Sequence, residues 1–153
     1  MFINKVIQAL ESNRVNYVVV GGYAVALHGA VRGTVDIDLA IALNMQSFEN
    51  TEKAMINIGL QALLPVNAKD VFNFREEYIR NRNLIAWSFS NPDNPLEIVD
   101  ILITEDASSI ETVDKKAFGR VIRIASIPDL IRMKRESNRP QDIEDIKSLE
   151  QLK

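Results

Sequence analysis

The sequence predicts an α+β fold, a mixed β-sheet with helices packed against it. Three observations carry that expectation. Short apolar, β-branched runs near 16–20, 35–43, 84–89, 96–103 and 120–125 are interspersed with stretches whose apolar residues fall at helical spacing. The two kinds of segment follow no regular strand–helix–strand series, which argues against a purely parallel sheet. Finally, Ser90-Asn91-Pro92-Asp93-Asn94-Pro95 is a dense turn signal between two of the runs and predicts an antiparallel hairpin.

In chain order, apolar residues at 3, 6, 7 and 10 predict an amphipathic helix ending near Asn13. Asn16 to Val20 is apolar nearly throughout, as a strand buried on both faces would be. Gly21-Gly22 breaks it, and the alanine-rich residues 23–30 read as a short helix. Gly33 marks a turn before the strand at 35–43. Phe48, Ala54, Met55 and Ile58 predict another helix, ending near Gly59. Residues 65–82 mix Pro65, charges and scattered aromatics and receive no firm assignment. Leu84–Phe89 and Leu96–Ile103 form the hairpin. Arg120–Ala125 reads as a last, edge-like strand. Ser126 caps a helix with Pro128 in its first turn, running to about Ser137. Pro140 opens the final helix, with Ile143, Ile146, Leu149 and Leu152 three apart.

Composition narrows the function classes. A chain of 153 residues is expected to be one domain, 1–153. It has no cysteine, so disulfides, thiolate metal sites and thiol nucleophiles are excluded. No apolar run approaches the length of a membrane span, and Met1-Phe2-Ile3-Asn4-Lys5 lacks a signal-peptide pattern. The expected location is the cytoplasm, with no membrane partner. A net charge of −3 argues against a bulk nucleic-acid coat. Between Lys115 and Arg139, however, eight basic residues face two acidic ones. Such a run is a solvated face or a grip for RNA or polyphosphate.

The chemistry centres on Tyr17 to Leu39. Asp36 and Asp38 are two apart on a predicted strand and so share a face, about 6.6 Å apart along it. Their charges repel by about 2.5 kcal/mol at an effective dielectric of about 20. A divalent cation touching both at about 2.1 Å outweighs that several-fold. The pair is either a solvated strand face or half of a metal site. Asp100 lies within the apolar run Leu96–Ile103, where a carboxylate needs a salt bridge, an exposed edge or a metal. Glu97 has the opposite strand parity. Gly21-Gly22 follows a buried strand and precedes a helix, the context in which backbone N–H groups hold phosphate. His28, the only histidine, reads more readily as a packed or capping side chain than as a nucleotide contact. Trp87 and the residues around Tyr78 read as core. Asp142 and Asp145, on one helix, pair with Arg139 or Lys147 in the plainest reading.

Taken together, Gly21-Gly22, thirteen intervening residues, Asp36-Ile37-Asp38 and the later Asp100 resemble the nucleotidyltransferase superfamily of the polymerase-β type. The string Gly21-Gly22-Tyr23-Ala24-Val25-Ala26-Leu27-His28-Gly29, then Arg32-Gly33-Thr34-Val35-Asp36-Ile37-Asp38-Leu39, is most similar to its AbiEii-like group, which includes toxins of toxin–antitoxin and phage-defence systems. Lys134, Arg139, Asp142 and Asp145 resemble that group's second motif.

The resemblance implies a nucleotidyltransferase-like mixed sheet and an enzyme. It would be a Mg²⁺-dependent (or Mn²⁺-dependent) nucleotidyltransferase moving NMP from an NTP to a hydroxyl of tRNA, protein or a small molecule, with an antitoxin as a further partner. Asp36, Asp38 and Asp100 are then the catalytic, metal-holding residues. Gly21, Gly22, Arg32, Thr34, Lys134 and Arg139 contact nucleotide. Two departures bear on this. Many members carry serine where this chain has Gly22, so no side-chain hydroxyl is offered there. The chain also stops soon after the second motif, without the helical domain of longer relatives, which bears on acceptor binding. The alternative is a catalytically silent copy of the fold acting as a binding or regulatory module.

Overall fold

The computed structural model describes residues 1–152. Its strands are β1 (Tyr17–Val20), β2 (Ile37–Ile41), β3 (Gln61–Ala62), β4 (Ala86–Asn91), β5 (Asn94–Asp106), β6 (Thr112–Ala117) and β7 (Arg120–Ala125). They form one sheet in the order β3-β4-β5-β2-β1-β7-β6. The sheet is mixed, as expected. β2 runs parallel to β5 and β1 parallel to β7, while β1/β2, β3/β4, β4/β5 and β6/β7 are antiparallel. The most apolar strand, β1, is buried at every residue and lies deep in the sheet.

The helices are α1 (Phe2–Ser12), α2 (Gly21–Leu27), α3 (Met45–Asn57), α4 (Ala68–Asn73), α5 (Arg75–Arg82), α6 (Ile127–Ser137) and α7 (Pro140–Gln151). Local chemistry sets their ends. Asn44 caps α3 by accepting from Ser47 N, and Ser126 caps α6 by accepting from Asp129 N, with Pro128 in the first turn. α2 lies against β1 and β2, α6 packs on α2, and α7 packs on α6.

Several boundaries differ from the sequence expectation, each for a physical reason. β2 begins at Ile37, so Asp36 precedes the strand rather than lying on it. α2 begins at the glycines themselves. Arg120–Ala125 is an inner strand, because β6 covers its outer side. β6 (Thr-Val-Asp-Lys-Lys-Ala) has no buried residue and hence no apolar face to betray it. Residues 65–82 hold α4 and α5, the latter with no buried residue. In α7, Leu149 is buried but Ile143 is exposed, and Asp142 and Asp145 are buried in its stead.

One face of β4 carries the aromatic core. Trp87 stacks on Phe48 of α3 with ring centroids 5.7 Å apart and meets Phe89 edge-on at 4.8 Å. Trp87 is core, as read from the sequence. Ser88, between the two aromatics, must point to the opposite face, and that face holds the carboxylates.

Candidate active site

Three polar residues form a row across three strands. Ser88 of β4 is the ladder partner of Asp100 on β5, and Asp100 is the ladder partner of Asp38 on β2. Ser88 Oγ donates to Asp100 Oδ1 at 2.5 Å. Ile37, Leu39, Val99 and Ile101, which flank the two aspartates, are fully buried. Apolar neighbours of opposite parity thus lock the strand register, and the register brings the carboxylates together.

Adjacent strands lie about 4.8 Å apart, where two unit charges repel by roughly 3.5 kcal/mol at an effective dielectric of about 20. The effect falls on Asp38. Burial, then the Asp100 charge, pushes it up to about 7, against the partial relief of Lys134. Burial and Asp100 also raise Asp36. The pair is short of positive charge. Among the described residues, no three carboxylate or histidine side chains converge into a ready-made metal cage. Asp38 and Asp100 nevertheless suit a hard divalent ion. Mg²⁺ typically takes one or two carboxylates and completes its shell with water and substrate phosphates.

The glycines make room for the chain's own side chains. Gly21 has φ +65°, and a Cβ there would lie 2.0 Å from Asp38 Oδ2. The space over Gly21 belongs to the chain's own carboxylate. At Gly22 a Cβ would lie 2.4 Å from Arg32 Nη1 and 2.7 Å from Thr34 Oγ1.

Behind the glycines lies a buried ionic network. Lys134 Nζ is 2.9 Å from Asp145 Oδ2 and 3.3 Å from Asp142 Oδ1. Arg32 Nε donates to Asp145 Oδ1 at 2.8 Å. Arg139 Nε donates to Asp142 Oδ2 at 3.0 Å, and its backbone N–H does so at 2.9 Å. Burial pushes both aspartates up, but these hydrogen bonds outweigh it. Arg139, Ser137 and Lys134 hold Asp142 well below the usual range, and Arg32, Lys134 and Gln141 lower Asp145. The expected pairing of Asp142 with Arg139 is present. Asp145 pairs with Arg32 and Lys134 instead of Lys147, whose ion pair is with Glu144.

A cavity of about 450 Å³ opens on this side of the sheet. Gly21, Asp38, Asp100, Lys134 and Arg139 line it, together with an apolar wall that includes Leu102, Leu130 and Met133. Five of the residues singled out from the sequence therefore share one cavity. Gly22, Arg32 and Thr34 sit beside it, and Asp36 stands at the entry to β2.

No family model matches the chain, and no curated protein matches it in sequence. Solved structures do match. The antibiotic-resistance factor ANT(2'')-Ia aligns with a TM-score of 0.65 at 15% identity, over 97% of this chain and 80% of its own. The lincosamide antibiotic adenylyltransferase LnuA aligns at 0.65 and 16%, over 99% of this chain and 96% of its own. A nucleotidyltransferase-like protein from Paracoccidioides brasiliensis aligns at 0.59 and 18%, over 97% and 74%. This chain has the nucleotidyltransferase fold.

Within that nucleotidyltransferase fold, sequence reasoning missed Ser88 and the burial of Asp142 and Asp145. Ser88 was out of reach. Counting back from the hairpin turn sets it opposite Glu97, but β5 carries three residues between Asn94 and Ile98 where β4 has none between Ser90 and Asn91. The shift puts Asp100 there. Glu97 is instead hydrogen-bonded to Asn91. His28 follows its plain reading, with Nε2 2.8 Å from Ala125 O. The basic run is dispersed. Arg120, Arg132, Lys134, Arg135 and Arg139 are each paired with a carboxylate. No described helix is long and apolar enough to cross a membrane.

Proposed function

We propose that this protein is a divalent-metal-dependent nucleotidyltransferase that moves a nucleoside monophosphate from an NTP onto a hydroxyl. The observation that carries this is the pairing of Asp38 and Asp100 in register, facing a cavity that Lys134 and Arg139 also line. Asp38 and Asp100, with Asp36 at the entrance, would hold Mg²⁺ or Mn²⁺. When bound, the ion supplies charge neutralisation at the α-phosphate and at the departing pyrophosphate. Gly21, Gly22, Arg32, Thr34, Lys134 and Arg139 hold the triphosphate. Asp100, oriented by Ser88, accepts the acceptor's hydroxyl proton. The acceptor oxygen bonds to the α-phosphorus as the bond to the β-phosphate's bridging oxygen breaks.

A small hydroxyl compound is the favoured acceptor over tRNA or protein. The cavity is of small-ligand size, and its apolar wall suits such a molecule. Away from the cavity, Arg120, Arg132 and Arg135, which would have tracked an RNA backbone, are each paired with a carboxylate. Two of the similar structures belong to antibiotic-modifying proteins, one in complex with adenylyl-2''-tobramycin.

The test incubates the protein with α-labelled NTPs, Mg²⁺ and, separately, small-molecule, tRNA and protein fractions of a cell extract. Label is expected in the small-molecule fraction, with pyrophosphate released. Asp100→Asn should slow transfer by about a hundredfold or more while the melting temperature holds. Absence of pyrophosphate release with every NTP, with either Mg²⁺ or Mn²⁺, would leave the silent binding module as the better account.

A further inference from the structure

Among the described residues, the side chain of Ser88 makes one hydrogen bond, and it ends on the carboxylate that an acceptor's proton has to reach. Its Oγ donates to Asp100 Oδ1 at 2.5 Å, the short range of a charge-assisted O–H···O⁻ bond. The backbone fixes this contact, because Ser88 of β4 and Asp100 of β5 are ladder partners. Ser88 is half-buried and so not sealed off. Ala86, two residues before it and on the same strand face, lines the cavity, and so does Asp100. A hydroxyl therefore stands beside the cavity with its proton already on Asp100.

The neighbouring hydroxyls lack that arrangement. Ser137 lines the cavity, but its Oγ donates to Asp142 Oδ2 at 2.8 Å, within the buried ionic network. Thr104 also lines it, but lies four residues along β5 from Asp100, about 13 Å at about 3.3 Å per residue. Ser90 shares the face of Ser88, and its ladder partner on β5 is Ile98, which offers no carboxylate. Thr34 Oγ1 donates to Asp36 O.

We propose that Ser88 is itself a nucleotide acceptor: with no external hydroxyl compound present, the protein transfers NMP from the NTP onto Ser88 Oγ and closes its own site. The inference rests on the nucleotidyl-transfer reading above and adds to it a second, self-directed activity. Ser88 Oγ forms the bond to the α-phosphorus as the bond from that phosphorus to the β-phosphate's bridging oxygen breaks. Pyrophosphate leaves, and the Oγ proton passes to Asp100. The product is a serine phosphodiester. Tethering favours this step over attack by water, since well-oriented intramolecular nucleophiles reach effective molarities of about 10⁵–10⁸ M. The adduct also removes the Ser88–Asp100 hydrogen bond and leaves a nucleotide at a cavity of about 450 Å³, the size of a single small ligand. The plain alternative is that Ser88 only steadies Asp100. In that role its loss slows transfer, but the chain is never marked.

The full chain is incubated with each common NTP and Mg²⁺, with no acceptor added, and followed by intact-mass spectrometry and pyrophosphate release. With at least one NTP, each chain should gain a single NMP, and pyrophosphate should rise to the same amount and stop. Tandem mass spectrometry should place the adduct on Ser88, and the rate constant should be unchanged when the protein is diluted. Ser88→Ala should lose the adduct, whereas Ser88→Thr, which keeps a hydroxyl, should retain it. Thermal melts establish that both variants fold, and the mapping on the parent chain stays decisive if either does not. If the parent releases pyrophosphate with the small-molecule fraction but its own mass never changes, or if the nucleotide lands on another residue, self-transfer is wrong and the proposed function stands. A rate constant that rises with protein concentration would also overturn it, in favour of transfer between chains. If the parent neither gains mass nor releases pyrophosphate with any NTP and any fraction, both fall together.

Discussion

Gly21 shows how much one residue can decide here. Its φ of +65° costs an L side chain roughly 1–2 kcal/mol, and Asp38 Oδ2 already occupies the position of a Cβ. Gly21→Ala should therefore lower the melting temperature and also displace Asp38, abolishing metal-dependent NTP binding. A normal melt with intact binding would show that the close approach is dispensable. Asp38 itself has a pH signature. Burial and Asp100 raise it to about 7, so the folded chain binds that proton more tightly than the unfolded chain. This contribution is complete below about pH 4, is lost as pH rises towards about 7, and is flat above. Metal-free melts should decline across that window, and Asp38→Asn should remove the decline. At this scale the sequence marked residues that the fold brings together, Gly21, Asp38, Asp100, Lys134 and Arg139, but not the contacts between them. Gly21-Gly22 was legible as a close-approach turn. That the approaching groups are Asp38, Arg32 and Thr34 depends on where a distant loop folds back, which spacing does not encode.

At the level of elements, α6 and α7 share a buried ionic cluster. Lys134 is the cation shared by Asp142 and Asp145, all three buried. Lys134→Met should destabilise the protein by about 3–5 kcal/mol, because it leaves buried carboxylates uncompensated. Chemical denaturation of the variant measures this, and adding Asp142→Asn and Asp145→Asn should recover part of the loss. A Lys134→Met variant as stable as the parent would mean that water already relieves these carboxylates. The two aspartates are held below the ordinary carboxylate value, so their contribution is present above about pH 4 and is lost as pH falls through their folded values. Acid melts should lose this limb first in Asp142→Asn. Helix positions were well legible here, since Ser126, Pro128 and Pro140 mark their starts chemically. The buried face of α7 was not, because apolar spacing favoured Ile143 whereas the ionic network claimed the opposite positions. β6 was invisible for a related reason: an edge strand with no buried residue carries no apolar alternation.

Across the whole molecule, the sheet order explains why the site exists. β2 lies between β1 and β5, so a strand leaving the glycine turn's helix returns beside the long arm of the hairpin. Asp38 and Asp100, sixty-two residues apart in sequence, become ladder partners. The mixed sheet, the hairpin and the three aspartates were all readable in advance, because β-branched runs, a Pro-Asp turn and a carboxylate in an apolar strand are strong local signals. Strand order and hairpin register are global properties and needed the structure. The Asp38 limb carries over to metal binding: added Mg²⁺ should raise the melting temperature markedly at about pH 8, where Asp38 is ionised, and little at about pH 5. The central claim, an acidic pair that needs a metal to receive a nucleotide, is tested most directly by ATP titration of the parent chain with Mg²⁺ and then with excess chelator. Binding with Mg²⁺ that vanishes with chelator, and that is absent in Asp38→Ala with a preserved fold, is the expected result. Equal affinity under both conditions would contradict it.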